Sequence, residues 1–324
     1  MLDSKKTIAV VGATGTQGGS LVRAVLADPE GPFAVRALTR DANSPSARHL
    51  SSLGAEVVEA DLDAEATVRT AFEGAWGAFV VTNFWAARPE EDIKRRTAAE
   101  MELQQAGTAA RAAREAGLRH VVWSTLEDTR EVFPPAEGQL PVLEGKYTVP
   151  HFDAKADADR LFTAEGVPTT FLRTTFFYES FLRGMGPVRA DDGSLVLTLP
   201  MADAKLAAVA ADDIGRSALA VFRRGPEMAG RTVSIAGAHL TGTELAELFS
   251  TALGEKVTYR PLSLAEFRSI GAFGGDETAN MFAYYVKAAD AFTAARDIPT
   301  VRALNPDLQS FPDWLGRHAS EFLK

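Results

Sequence analysis

The chain has 324 residues, 46% of them hydrophobic and 24% charged, a net charge of −9 and no cysteine. That composition belongs to a soluble globular protein with room for a large core, and the length favours about two domains. The acidic balance argues against direct nucleic-acid binding, which needs a basic face to displace phosphate counterions, and the missing cysteines exclude disulfides and thiolate metal sites. A cytoplasmic setting is therefore expected. Residues 1–6 are polar, so no secretory signal is expected, and no apolar run approaches the ~20 residues of a membrane span.

From residue 7 to about 174, strand and helix patterns alternate, as in a parallel sheet covered on both faces. The first strand, 7–12, breaks into Gly12-Ala13-Thr14-Gly15-Thr16-Gln17-Gly18-Gly19 and then into apolar residues at helical spacing. In this G-x-x-G-x-x-G run, Gly12 permits the turn, Gly15 lets backbone N–H groups approach a pyrophosphate, and Gly18 lets helix and strand pack closely. The helix N-terminus adds a partial positive charge, so the run reads as a phosphate cradle formed with Thr14, Thr16 and Gln17. Strand two spans 33–39, a short helix lies near 45–53, strand three spans 55–60, a helix 64–74 and strand four 76–82. One long helix is predicted over 90–117, stopped by Gly117, then strand five over 119–124. Residues 125–150, rich in Pro and Gly, read as a long ordered loop, and a helix over 151–166 and strand six over 168–174 complete the doubly wound domain.

Beyond 174 the periodicity is irregular, which predicts a smaller α+β lobe over 175–324 capping the carboxyl ends of the strands of the 1–174 Rossmann-type domain. Its expected elements are 176–184, strands 194–199, 231–236 and 256–261, and helices 211–222, 241–253, 264–270, 277–289 and 311–322. Asp212 and Asp213 read as the cap of the helix they open. His49, His120, His239 and His318 lack metal-ligand spacing, so no metal is expected.

A second cofactor signal lies after strand two, where an NAD site places an acid for the ribose diol and an NADP site an arginine for the 2′-phosphate. Here Arg40 occupies that place, followed by Asp41, so NADP(H) is preferred and NAD(H) is the second candidate. Asp61, followed by Leu62 directly after strand three, is placed either to meet the adenine amino group or to cap the next helix.

These motifs, together with Thr82-Asn83-Phe84-Trp85, His151-Phe152-Asp153-Ala154-Lys155, Gly54-Ala55-Glu56-Val57-Val58 and Ala279-Asn280-Met281-Phe282, resemble the NmrA-like family of atypical short-chain dehydrogenases over nearly the whole chain. The likeness extends to its HSCARG-type NADPH-sensing members. The resemblance implies that the glycine turn holds the pyrophosphate and that Arg40 takes the 2′-phosphate. It implies that Thr82, Asn83 and Phe84 border the ribose and nicotinamide, that Lys94 and Lys155 approach the cofactor, and that Phe177, Tyr178, Glu179 and Ser180 lie near the nicotinamide.

Short-chain dehydrogenases move a proton through Tyr-x-x-x-Lys, the lysine one turn from the tyrosine. The corresponding pair is His151 and Lys155. The tyrosine is absent, and His151 either replaces it or bonds the loop before the helix. Tyr147 stands outside the helix frame, and Ser124-Thr125 occupies the place of the dehydrogenase serine or merely closes its strand. A complete cofactor site beside an incomplete dyad implies an NADP(H)-binding redox sensor with little turnover. The alternative is an NAD(P)H-dependent oxidoreductase acting on a quinone or small carbonyl. The expected partners are the cofactor and a regulatory protein, with no direct nucleic acid and no membrane, in a monomer or homodimer.

Overall fold

The computed structural model describes residues 5–271 and 274–322. Its first half runs β1 (Lys6–Val10), α1 (Thr16–Leu26), β2 (Phe33–Thr39), α2 (Pro45–Ser52), β3 (Glu56–Glu59), α3 (Glu65–Phe72), β4 (Gly77–Val80), α4 (Glu90–Arg95), α5 (Ala98–Glu115), β5 (His120–Thr125), α6 (Pro150–Ala164) and β6 (Thr169–Arg173). There follow β7 (Phe176–Phe177), β8 (Val188–Arg189), β9 (Leu195–Leu197), β10 (Leu206–Val209), α7 (Ala211–Arg224), β11 (Thr232–Ser234), β12 (Ala238–Leu240) and α8 (Gly242–Leu253). The chain continues through β13 (Val257–Tyr259), α9 (Leu264–Ile270), α10 (Asp276–Lys287), α11 (Ala289–Ala294), α12 (Ile298–Leu304) and α13 (Phe311–His318).

Two compact units result, Met1–Asp128 with His151–Arg173 and Ile214–Val233, and Thr129–Pro150 with Thr174–Asp213 and Ser234–Lys324. The first holds a seven-stranded sheet in the order β11-β6-β5-β4-β1-β2-β3. Its strands from β3 to β6 pair in parallel, the doubly wound arrangement in which the order reverses beside β1. Alternation along each strand sends Ala9, Val11, Val80, Val121 and Trp123 to one face, where α3, α5 and α6 supply Phe72, Ala109 and Phe162. The opposite face receives Phe222 of α7 against Phe33, Trp76 and His120. The strand expected over 231–236 in the smaller lobe instead lies on this sheet's edge as β11, where Arg231 O accepts from Phe171 N and Gly230 N donates to Thr169 O. It is short, and its edge position gives it only one partner strand.

The long helix expected over 90–117 is two. Arg96 is extended at φ −149° and ψ 151° between α4 and α5. Its guanidinium donates to Asp63 through Nη1 at 3.0 Å and Nη2 at 2.9 Å, and through Nε to Asp92 at 2.8 Å. Thr97 then starts α5 with a reciprocal capping box, its Oγ1 accepting from Glu100 N and its N–H donating to Glu100 Oε2 at 2.8 Å. Residues 125–150, read as an ordered loop, contain short turns at Thr129–Glu131 and Pro135–Glu137 and a bridge pairing Leu143 with Tyr147.

The second unit carries two three-stranded sheets, β12-β10-β7 and β13-β9-β8. Its core is aromatic, with Phe181 edge-on to Phe249 and Phe311, and Tyr178 packed on Phe311 and Trp314. Asp212 and Asp213, read as the cap of the helix they open, lie in the first turn of α7. Glu179 accepts from Ala211 N at the start of α7, while the buried Asp213 carboxylate accepts from Asn305 Nδ2 at 3.0 Å and Gln309 N at 2.9 Å. Among the described residues no helix is long and apolar enough to cross a membrane, and no group of acids and histidines could hold a metal ion.

Candidate functional site

The first unit brings together the glycine turn, the ends of β2, β3 and β4, and the start of α6. Gly12 takes φ +66°, which a side chain would strain, and Gly15 is the N-cap of α1 with its N–H donating to Gly12 O. At Gly18 a Cβ would stand 2.6 Å from the Gly12 carbonyl carbon and 2.8 Å from Val11 O, so helix and strand meet backbone to backbone. Gly12, Thr14 and Gly15 are exposed on the rim, Thr16 and Gln17 half-buried, and the first turn of α1 bears no acid that would repel an anion. Gln17 is anchored from below, its Oε1 accepting from Ser124 Oγ of β5 at 2.7 Å.

Arg40 stands exposed just past β2, and no hydrogen bond or ion pair engages its guanidinium among the described residues. Asp41, beside it, is committed to a local turn, one oxygen accepting from Asn43 N at 2.8 Å. Asp61 after β3 behaves likewise, accepting from Asp63 N at 3.0 Å, and the N-cap of α3 is Ala64 rather than Asp61. Leu62 is half-buried against the helix-covered face of the sheet.

Past β4, Asn83 Oδ1 accepts from Trp85 N at 3.1 Å and fixes the turn that sends Phe84 inward and leaves Trp85 54% exposed. Thr82, just before it, is buried in a cluster of charge. Its Oγ1 accepts from Lys155 Nζ at 2.8 Å and donates to Glu102 Oε1 at 2.6 Å, and Lys155 Nζ lies 3.0 Å from that same Glu102 oxygen. Nζ also reaches the Thr82 carbonyl at 3.3 Å and sits 5.1 Å above the Trp123 ring. All three side chains are buried, and the second Glu102 oxygen has no partner among the described residues.

Glu102 and Asp159 are the site-bordering residues the motifs did not single out. The signal for Glu102 lies in spacing: Ala99, Glu102, Ala106, Ala109 and Ala113 recur at three and four residues and form one buried stripe of α5, in which the only charge is Glu102. Asp159 stands four residues beyond Lys155, one helical turn along α6. Its Oδ1 accepts from Thr125 Oγ1 at 2.6 Å and Trp123 Nε1 at 2.9 Å, and burial pushes its carboxyl up to about 6 against the pull of those donors.

His151 opens α6 half-buried among rings, 5.4 Å from Trp85, 5.9 Å from Phe84 and 4.9 Å from Phe152 between centroids. Lys94, in contrast, lies on an exposed face of α4 and pairs with Glu90 at 2.6 Å. The remaining positions belong to the second unit. There Phe177 lies in β7, Ser180 precedes the turn Phe181–Met185, and Tyr178 is fully buried with burial and the Asp213 and Glu179 charges raising its phenol. Glu179, also pushed up by burial, accepts from Ala211 N and from Trp314 Nε1 at 3.2 Å. Tyr147 is buried against Arg130 and Lys146 in the same unit.

The model of the NmrA-like family matches residues 4–311. Among curated proteins, the NmrA-like family domain-containing oxidoreductase malD of Malbranchea aurantiaca is 30% identical over 261 residues, 79% of this chain and 75% of that protein. Among solved structures, NmrA, a negative transcriptional regulator, superposes with a TM-score of 0.76 at 23% identity, covering 96% of this chain and 95% of its own, and has also been crystallised with NADP and with NAD. The triphenylmethane reductase of Citrobacter sp. in complex with NADP(H) gives a TM-score of 0.71 at 20% identity over 97% of this chain and 99% of its own. The NADPH-dependent quinone oxidoreductase of Escherichia coli gives 0.70 at 21% identity over 98% and 100%. At these identities the structural likenesses establish the fold.

Proposed function

The chain belongs to the NmrA-like family, and from that membership we propose that it binds NADP(H) at the glycine turn and acts as a redox-responsive regulator with slow turnover of its own. The observation that carries the cofactor reading is the pairing of a glycine turn, held tight where α1 meets β1 backbone to backbone at Gly18, with an exposed guanidinium at Arg40 that no acid among the described residues engages. Gly12, Thr14, Gly15, Thr16, Gln17 and Gly18 would receive the pyrophosphate at the α1 N-terminus, and Arg40 the 2′-phosphate. Asp61 and Leu62 would border the adenine, and Thr82, Asn83, Phe84 and Lys155 the ribose and nicotinamide. When bound, the nicotinamide supplies hydride chemistry; this chain's residues bind and orient it.

Slow turnover is inferred from α6. His151 stands where a proton-relaying phenol would be, and the Lys155 ammonium is bound to Glu102 and Thr82 rather than to a phenol. Losing a positioned general acid typically removes about 10²–10⁴ in rate. Titration calorimetry on Arg40→Ala tests the cofactor reading. NADPH affinity should fall roughly ten- to a hundredfold while NADH affinity barely changes, and equal losses for both would make Arg40 an ordinary surface residue. The regulator reading further expects a change of hydrodynamic size or of partner binding between NADPH-loaded and NADP-loaded protein.

A second reading is favoured by the name of malD and by the exposed Trp85 ring beside His151. It is an NADPH-dependent oxidoreductase reducing a quinone or small carbonyl with His151 as proton donor. Following NADPH absorbance against a panel of quinones and aldehydes separates the two. Turnover at several per second that disappears in His151→Ala would overturn the regulator.

A further inference from the structure

We propose that Glu102 is the positioning residue of the cofactor site, holding the Lys155 ammonium through the Thr82 hydroxyl so that Lys155 can engage the ribose diol next to the nicotinamide. The inference rests on the reading of Lys155 as a cofactor contact and names the group that makes such a contact possible.

An ammonium has three N–H donors. Two of them are taken by the shortest contacts, to Thr82 Oγ1 at 2.8 Å and Glu102 Oε1 at 3.0 Å, and the third reaches the Thr82 carbonyl only at 3.3 Å. The hydroxyl is used in both directions, accepting from Lys155 and donating to Glu102 at 2.6 Å, so that one carboxylate oxygen gathers both the ammonium and the hydroxyl. The long third contact is the one a ribose hydroxyl can replace. A lysine on a four-carbon stem would otherwise sample many rotamers, and here it is held before any ligand arrives.

The arrangement is costly in a way that packing alone does not explain. Glu102 is 1% exposed, on a stripe of α5 whose other members are alanines, and its Oε2 is buried without a partner. A buried pair with an unsatisfied oxygen adds little or nothing to stability over an apolar pair of the same size. An ionic residue held at such a position is best accounted for by what it does to Lys155.

The test is a split between two ligands, NADPH and adenosine 2′,5′-bisphosphate, which shares the adenine half and lacks the nicotinamide ribose. In Glu102→Gln the affinity for NADPH should drop about tenfold, as for loss of one charge-assisted contact, while the bisphosphate binds within about twofold of wild type. Parallel losses for both ligands would reduce Glu102 to a structural residue, and unchanged binding of both would overturn the inference. Lys155→Met separates this failure from failure of the reading beneath it. If Lys155→Met keeps full NADPH affinity, Lys155 is no cofactor contact and the inference falls with it. If Lys155→Met shows the split and Glu102→Gln does not, only the role of Glu102 is refuted. Should Glu102→Gln not fold, Glu102→Met keeps the volume of the side chain without its carboxylate and carries the same test, with the same split expected and its absence equally decisive.

Discussion

A methyl group at Gly18 would have nowhere to go. Its carbon would meet the Gly12 carbonyl and Val11 O, both backbone atoms that move only if β1 or α1 moves. Overpacking of this kind costs roughly 1–3 kcal/mol, and here it would also displace the N–H groups proposed to face the pyrophosphate. Gly18→Ala should therefore lower the melting temperature and weaken NADPH binding by more than about tenfold, the loss of at least one charge-assisted hydrogen bond. Thermal denaturation and calorimetry check the two effects separately, and a Gly18→Ala protein with wild-type NADPH affinity would remove the cradle from the site. At this scale the glycines are legible in the chain because backbone conformation is a local property. Glu102 is less so: its spacing sets it apart on α5, but what it meets, Thr82 20 residues before it and Lys155 farther along the chain, is brought to it by packing.

Helix α5 is the element that carries Glu102, and its start is set by Thr97. Removing the cap with Thr97→Ala deletes the acceptor for Glu100 N and should destabilise the protein by about 1 kcal/mol, within a range of about 0.5–2. Denaturant unfolding measures it, and a value near zero would mean that the Arg96 contacts to Asp63 and Asp92 alone define the break. The capping box was readable as Thr-x-x-Glu, yet the surrounding run of Ala, Glu, Arg and Gln favours unbroken helix, and the ion pair that draws Arg96 out of the helix joins it to Asp63 in the loop before α3. Strands β7, β8 and β12, two or three residues each, have too few positions for alternation to register, whereas β9 and β13 fall within the strands expected over 194–199 and 256–261.

For the molecule as a whole, two buried groups of the first unit set opposing pH dependences. Burial lowers His120 to about 4 from its usual 6.5, with Nε2 on Thr170 Oγ1 at 2.8 Å. The unfolded chain therefore binds more protons between these values, and the stability His120 contributes is present above 6.5 and lost as pH falls toward 4. Asp159, raised to about 6 from 3.8, does the reverse: the folded chain binds more protons, and its contribution is present below 3.8 and lost as pH rises toward 6. Each corresponds to about 3 kcal/mol at full development, so the two nearly cancel. Asp159→Asn keeps an acceptor for Thr125 and Trp123 and removes only the titration. Its stability relative to wild type should climb by about 2 kcal/mol as pH rises from 4 to 6. Parallel melting curves for both proteins across that range would show instead that Asp159 does not titrate there.

The amino-acid sequence by itself determined the doubly wound first half, the family, the glycine turn and the arginine after β2, because strand period, helix period and glycine geometry are all written within a few neighbouring residues. Tertiary structure alone decided what those parts are joined to. It moved β11 from the smaller lobe to the edge of the main sheet, turned Asp213 toward Asn305 and Gln309, and enclosed Tyr178 in an aromatic core. It also gathered Thr82, Glu102 and Lys155 around one carboxylate oxygen. For Asp213 and for the cluster of Thr82, Glu102 and Lys155 the reason is the same: a buried charge draws a partner, and which partner lies within 3 Å is settled by how strands and helices pack, not by what stands beside it in the chain.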